Sequence, residues 1–183
     1  MRSMRSSTAA AAAALVLAAT APIASQGISR EEALRGVYPG AAIRAEQVFL
    51  TPAQQREAAT RAGAEAPSAL VARYVATKDG QVVGRAYVDT HTVRTKKESL
   101  LISLDVAGQL TRIDVTAFLE PAEYRASEGW LRQYQDRRLD RDLTINRAIR
   151  PIAGATLTAQ AINAAVRRVL VIDGILQEGG DRR

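Results

Sequence analysis

The stretch from Pro151 to Thr158, PIAGATLT, places a threonine hydroxyl directly ahead of a helix with an apolar stripe. Gly154 gives the backbone angles that other residues avoid, and Ala155 keeps bulk away from the hydroxyl of Thr156. The free N–H groups and the positive dipole end of the following helix converge here, where a phosphate is stabilised. The stretch therefore favours either a phosphate site at Thr156 or a plain helix cap. Thr158 offers a second hydroxyl beside it.

His91 is the only histidine, and the chain contains no cysteine. One histidine without cysteine does not make a zinc site of ordinary composition. We expect His91 to lie on the polar surface of a loop between two strands, with a place in the wall of a ligand cleft as the alternative. The chain has neither a nucleophile elbow nor a phosphate-binding Gly-Lys loop, so hydrolytic catalysis is not indicated.

Aromatic side chains concentrate in residues 119–134, LEPAEYRASEGWLRQY. Tyr124, Trp130 and Tyr134 lie there, in a chain that has one Trp, five Tyr and two Phe. Trp130 and Tyr134 are four residues apart, which predicts a helix face that packs on a sheet. The segment also fits one wall of a cleft for a flat ring, and the two roles are compatible.

Periodicity and turn signals predict the elements that position these residues. Short helices are expected over residues 29–36, with Ser29 as cap, and over 51–62, with Thr51 as cap and Pro52 in the first turn. Strands are predicted over residues 42–50, 70–77, 82–89, 100–106 and 110–118, with tight turns at 78–80 and 107–109. The last strand has a phase slip near Thr111, and one face of the sheet is expected to be buried and the other wet.

A second helical region is predicted over residues 122–138, followed by a linker over 139–150. The C-terminal helix begins near Leu157 and carries one buried stripe, formed by Ile162, Ala165, Val166, Val169 and Leu170. Gln160, Asn163, Arg167 and Arg168 are expected to face outward. Helices outside a central antiparallel β-meander, with a C-terminal helix after the Gly-Ala-Thr motif, give the α+β class.

The first 25 residues have the pattern of a secretory signal. Arg2 and Arg5 precede an apolar run over residues 8–20, and small residues allow cleavage after Ser25, although an uncleaved anchor stays open. The rest divides into an N-terminal segment of the domain at 26–68, the main domain at 69–176 and a flexible tail at 177–183. The formal net charge is +6, with basic residues spread along the chain, so nucleic-acid binding is not indicated.

These motifs together resemble the FMN-binding domain family, which includes the flavin-carrying subunits of sodium-pumping quinone reductase and of the Rnf complex. The resemblance lies in RPIAGATLT (residues 150–158), in YVDTHTVRT (87–95) and in FLEPAEY (118–124) with Trp130, and covers roughly residues 69–172. Family members carry Asp and Ser or Thr where this chain has Arg150 and Ala153.

The resemblance implies an exported, periplasmic or membrane-associated FMN-binding flavoprotein that carries electrons. FMN would be joined through its phosphate to Thr156 by a flavin transferase, with Arg150 pairing with the phosphate as the non-covalent alternative. The residues implied to bind the cofactor are Gly154, Ala155, Thr156, Thr158, Arg150, Glu120, Tyr124, Trp130, His91 and Arg94.

The implied partners are the flavin transferase and membrane redox proteins that donate or accept electrons. Arg94, Lys96 and Lys97 are the candidate cations beside the ring, where they would favour reduced, anionic flavin. A non-redox envelope binding module that keeps the fold without flavin is the alternative, favoured by Arg150 and Ala153. No catalytic acid or base is assigned, because electron transfer alone needs none.

Overall fold

A computed structural model describes residues 27–180, so the predicted signal segment 1–25 and the last three residues of the predicted tail lie outside it. Its centre is a five-stranded antiparallel sheet in which the strands neighbour one another in chain order. The α+β class and the meander are therefore confirmed. The elements are α1 (Arg30–Val37), β1 (Ala42–Phe49), α2 (Pro52–Ala62), β2 (Leu70–Lys78), β3 (Gln81–Thr92), β4 (Lys97–Asp105), β5 (Leu110–Phe118), α3 (Glu128–Leu131) and α4 (Thr156–Gly180).

The main core lies between one face of the sheet and the pair α2 and α4. Alternate β4 residues Leu100, Ile102 and Leu104 are fully buried there, as the two-residue period of a strand requires. The predicted stripe of α4 packs against them, and all five of its members are buried. α2 begins with the predicted cap, since the Thr51 hydroxyl accepts the Gln54 N–H at 3.2 Å while the Gln54 side chain accepts the Thr51 N–H at 2.9 Å.

The opposite face of the sheet was predicted to be wet, and this is wrong for the part that α1 covers. Leu34 and Tyr38 of α1 form a second core with Ala76, Ala86 and Leu101. The Tyr38 hydroxyl donates to the Arg85 carbonyl oxygen at 2.7 Å and lies 2.8 Å from that of Leu104. The strand pattern did not predict this cover because small residues, not an obvious apolar row, make up much of that face.

The turn predictions are confirmed in detail. Asp79 and Gly80 both have positive φ, 50° and 77°, and form the two-residue loop between Lys78 and Gln81. The phase slip near Thr111 is a β-bulge: Leu104 pairs with Leu110 while Ser103 pairs with Arg112. Thr111 is thus the extra residue on β5.

Two helix predictions need correction. Residues 122–138 do not form one helix but three short turns, Ala122–Tyr124, Glu128–Leu131 and Arg132–Tyr134. α4 continues to Gly180, so residues 177–180, which were predicted to belong to a flexible tail, are helical. Within residues 27–180, no helix is both long and apolar enough to cross a membrane.

We expect Gly84→Ala to destabilise the protein by about 1–3 kcal/mol, as overpacking in a core does. A Cβ at this position would lie 2.6 Å from the Leu104 carbonyl oxygen and collide with the Tyr38 ring. Urea denaturation measures the change. Gly174→Ala is the control: its Cβ would have 3.8 Å to the nearest Arg61 nitrogen, and it should stabilise α4 by about 0.5–1 kcal/mol. Equal effects of the two variants would contradict the packing described here.

Candidate functional site

Thr156 is the first residue of α4 rather than its cap. The carbonyl of Ala155 accepts the Ala159 N–H at 3.1 Å, which makes Ala155 the cap residue, and an alanine has no side chain to satisfy the helix. The N–H groups of Thr156, Leu157 and Thr158 have no acceptor inside the helix. The plain-cap interpretation of Thr156 is therefore wrong, and the helix N-terminus is open to an external acceptor.

The two threonines of the motif have different surroundings. Thr156 is exposed, and its hydroxyl makes no hydrogen bond with any residue of the described chain. Thr158 is only 1% exposed, so its hydroxyl faces the interior. Gly154 has φ of 77°, and a Cβ there would find no atom within 4 Å, so open space lies in front of the turn. Thr156 is thus the hydroxyl of the motif that a ligand can reach.

The turn between β3 and β4 is held by Glu120, which follows β5. One carboxylate oxygen of Glu120 accepts the backbone N–H groups of Arg94, Thr95 and Lys96 at 3.1, 2.7 and 2.8 Å. The N–H groups of Thr95 and Lys96 hold the pKa of Glu120 below its usual range, and that of Arg94 adds to them. Glu120 therefore acts through the turn, as an anchor for a basic loop.

The predicted aromatic residues lie in two places. The guanidinium of Arg94 lies 5.3 Å from the centre of the Tyr124 ring, a cation–π contact. Trp130 packs edge-to-face on Tyr134, with ring centres 5.6 Å apart, and this confirms their structural role. The Trp130 indole N–H also donates to the Arg150 carbonyl oxygen at 2.7 Å. A shallow groove of about 500 Å³ lies here, lined by Gly129, Trp130, Gln133, Arg137, Ala148, Arg150 and Pro151.

His91 is the largest correction to the predicted site. It lies on β3, not in a loop, and its ring is held between two carboxylates. Nδ1 lies 2.9 Å from Asp89 Oδ1 and Nε2 lies 3.1 Å from Glu98 Oε2. Asp89 in turn accepts two hydrogen bonds from the Arg168 guanidinium of α4, at 2.8 and 2.9 Å. His91 therefore belongs to a buried charged cluster and not to the polar surface.

The charges of this cluster depend on one another. Burial by itself would lower the pKa of His91, but the hydrogen bonds that its ring donates to the Asp89 and Glu98 carboxylates raise it to about 9. Burial would raise the pKa of Asp89, and His91 and Arg168 outweigh it, so that this pKa is lowered. Glu98 is fully buried, and its Oε1 has no hydrogen-bond partner among residues 27–180. At neutral pH the cluster holds a protonated imidazole between the two carboxyl groups.

Four residues that position the site were not predicted from the sequence: Asp89, Glu98, Arg168 and Asp173. Arg168 and Asn163 were expected to face outward and are buried, 9% and 7% exposed. One signal in the sequence could have indicated them. Arg85, Asp89 and His91 share one face of a central strand with Tyr87, because they lie at alternate positions. Such a pattern requires partners on whatever covers that face.

The contacts between α4 and β3 place Thr156 relative to the basic turn. Asp173 contacts Arg85 and Arg168 contacts Asp89, so α4 runs opposite to β3. The twelve residues before Arg168 extend the helix by about 18 Å toward the C-terminal end of β3. The α4 N-terminus and the turn of Arg94 therefore lie toward the same end of the molecule. Within residues 27–180, no hydrogen bond or ring contact joins Thr156 to Arg94, Tyr124 or Trp130.

Comparisons with protein-family models, with curated proteins and with solved structures find no match to this chain. Among residues 27–180, no group of three or more His, Asp or Glu side chains is arranged to hold a metal ion. The function must therefore be inferred from the geometry of the site and from the residues of the Gly-Ala-Thr motif.

We expect the cluster around His91 to make stability fall in alkaline solution. The pKa of His91 is raised from 6.5 to about 9, so its contribution is complete below pH 6.5 and is lost as the pH rises through about 9. Urea denaturation at pH values from below 6.5 to above 9 measures the free energy of unfolding. We expect this free energy to fall with rising pH in the wild type and to change less in His91→Gln. Parallel profiles of the two proteins would contradict the cluster's role.

Proposed function

We propose that this chain is an extracytoplasmic FMN-binding electron carrier whose Thr156 holds the phosphate of the flavin. The observation that carries the proposal is the exposed Thr156 hydroxyl at the uncapped N-terminus of α4, which takes no part in the described hydrogen bonds of the fold. A helix N-terminus stabilises a phosphate through its free N–H groups and its dipole.

The residues around Thr156 fit a phosphate group. The open space at Gly154 lets the group approach the backbone, and buried Ala155 adds no bulk in front of the hydroxyl. Arg150, four residues before Gly154, supplies an exposed guanidinium. A planar guanidinium pairs with phosphate in a bidentate manner. Together these groups support either a phosphate ester at Thr156 or tight non-covalent binding.

The basic turn and the aromatic residues support a site for the flavin ring. FMN supplies one- or two-electron chemistry, and the protein's part is to bind, orient and tune it. Arg94 and Lys96 lie on a turn that Glu120 fixes, and positive charge near the ring favours its reduced, anionic form. Tyr124 and Trp130 offer ring faces on the segment after β5. His91 remains a structural partner of Asp89 and Glu98 in this proposal.

The partners follow from the chemistry. A flavin transferase would attach FMN to Thr156, and membrane redox proteins would exchange electrons with it. The predicted export signal supports a periplasmic location, where a cofactor that is lost cannot readily be replaced.

The test is expression of the full chain in an exporting host together with the flavin transferase. We expect flavin fluorescence on the protein band of a denaturing gel, placed by peptide mass analysis on Thr156. Thr156→Ala should abolish the signal and Thr156→Ser should retain it, because serine keeps the hydroxyl. Thr158→Ala is the matched control and should retain the signal, since Thr158 is buried.

Two other outcomes have distinct meanings. A coloured native protein that loses its flavin on denaturation would establish the non-covalent form, and Arg150→Ala should then weaken flavin binding about tenfold or more, the loss of one charge-assisted phosphate contact. A protein that is colourless both before and after denaturation would overturn the proposal and favour an envelope binding module without flavin.

A further inference from the structure

One end of the sheet combines large exposed apolar side chains with a basic turn. Phe49 at the end of β1 is 72% exposed and pairs with Leu70 at the start of β2, which is 44% exposed. Leu119, just after β5, is 63% exposed, and its N–H donates to the Lys97 carbonyl oxygen at 3.0 Å. The strand pairings bring the end of β1, the start of β2, the β3–β4 turn and the end of β5 to the same end of the sheet.

The charge at this end is positive. Arg94, Lys96 and Lys97 are exposed on the β3–β4 turn. Glu120, which follows β5, is buried, and its carboxylate is engaged by three backbone N–H groups of that turn. Exposed Glu123 in the following turn is the acid that partly offsets them. Positive charge beside large apolar side chains is the composition that binds an anionic lipid surface.

The opposite end of the sheet offers a comparison within the same molecule. It too exposes apolar residues, Val82, Val83 and Val106, at 43%, 36% and 61%. Its side chains are smaller, however, and its turns carry Asp79 and Asp105 beside a single lysine, Lys78. The two hairpin turns at that end therefore offer an anionic surface less positive charge than the turn that carries Lys96 and Lys97.

Gly27, the first residue that the structure describes, lies toward the end of the sheet that carries Leu119. Gly27 lies against β5, where a Cβ would come within 2.6 Å of the carbonyl oxygens of Val115 and Thr116. This contact is next to the C-terminal end of β5, which leads to Leu119. The twenty-six residues that precede Gly27 include the apolar run at 8–20. The described part of the chain therefore begins beside the C-terminal half of β5, which leads to Leu119.

We propose that Phe49, Leu70, Leu119 and the basic turn of Arg94, Lys96 and Lys97 form a docking surface for an anionic lipid bilayer. The apolar side chains enter the interface between headgroups and acyl chains, and the three cations contact lipid phosphates. This surface shares Arg94 and Lys96 with the proposed flavin site, but contact with lipid needs no flavin, so it can be tested on protein expressed without a transferase. Its failure would leave the proposed function untouched.

The absence of cysteine makes a direct test possible. Single cysteines introduced as Leu119→Cys and Leu70→Cys in the full chain are labelled with an environment-sensitive fluorophore. The labelled proteins are mixed with vesicles of phosphatidylglycerol and phosphatidylcholine in equal parts, or of phosphatidylcholine alone. We expect a several-fold rise in emission with the anionic vesicles, and quenching by lipids that carry a nitroxide near the headgroup.

Val106→Cys is the matched control, because Val106 is as exposed as Leu119 and lies at the opposite end of the sheet. Its label should show no rise, even where the N-terminal segment itself binds the vesicle, since all three proteins share that segment. In the Leu119→Cys protein, Lys96→Glu with Lys97→Glu should lower the vesicle affinity reported by the label at least about tenfold, and Lys78→Glu should not.

Three results would overturn the proposal. One is no change in the labels at positions 70 and 119 on anionic vesicles, which would leave an acidic protein as the alternative partner for this surface. Another is an equal rise at position 106, which would mean binding without orientation. The third is an equal response to vesicles of phosphatidylcholine alone, which would exclude a role for the basic turn.

Discussion

The position of the α4 N-terminus depends on the buried ion pairs that join α4 to β3. Arg85 donates to Asp173 at 2.5 and 2.8 Å, and the Tyr87 hydroxyl donates to the same carboxylate at 2.7 Å. Arg168 donates two hydrogen bonds in the same way to Asp89, which lies two residues after Tyr87 on β3. A helix that slid by one turn would leave both acids and both guanidiniums buried without partners, at a cost of several kcal/mol. These pairs therefore fix the register of α4 and, with it, the place of Thr156.

Buried ion pairs of this kind add little net stability over apolar packing, but they specify one arrangement of the elements that they join. Ile162, Val166 and Val169 of α4 belong to the apolar core beneath the sheet, and apolar contacts are less directional than hydrogen-bonded ion pairs. Asp173 and Arg168 supply such pairs at two points of the helix. The same division of roles appears at the β3–β4 turn, where Glu120 fixes the backbone and leaves the side chains of Lys96 and Lys97 exposed.

Local signals in the sequence predicted the local structure well. The Thr51 cap, the Asp79-Gly80 turn, the bulge at Thr111 and the apolar stripe of α4 all depend on residues within a few positions of one another. The errors concern partners that are distant in the chain: Arg168 meets Asp89 across 79 residues, and Arg85 meets Asp173 across 88. The alternation of apolar and polar residues predicts that a charged residue lies on the surface. The charged residue can be buried when the fold brings a partner of opposite charge to it. The start of α4 at Thr156 follows from local signals, whereas the position of His91 between Asp89 and Glu98 depends on the fold.

Arg150 bears on how a phosphate would be held at Thr156. Its backbone is fixed on both sides, since the Gln133 side chain accepts its N–H at 2.9 Å and its carbonyl accepts the Trp130 indole. Neither bond uses the side chain, so a residue of any charge could occupy this position without moving the turn. The Asp of the related motif would place a negative charge near the helix N-terminus and would repel a phosphate there. In the proposed complex the positive charge of Arg150, six residues before Thr156, would favour retention of the anion through electrostatics and would lessen the dependence on a covalent bond.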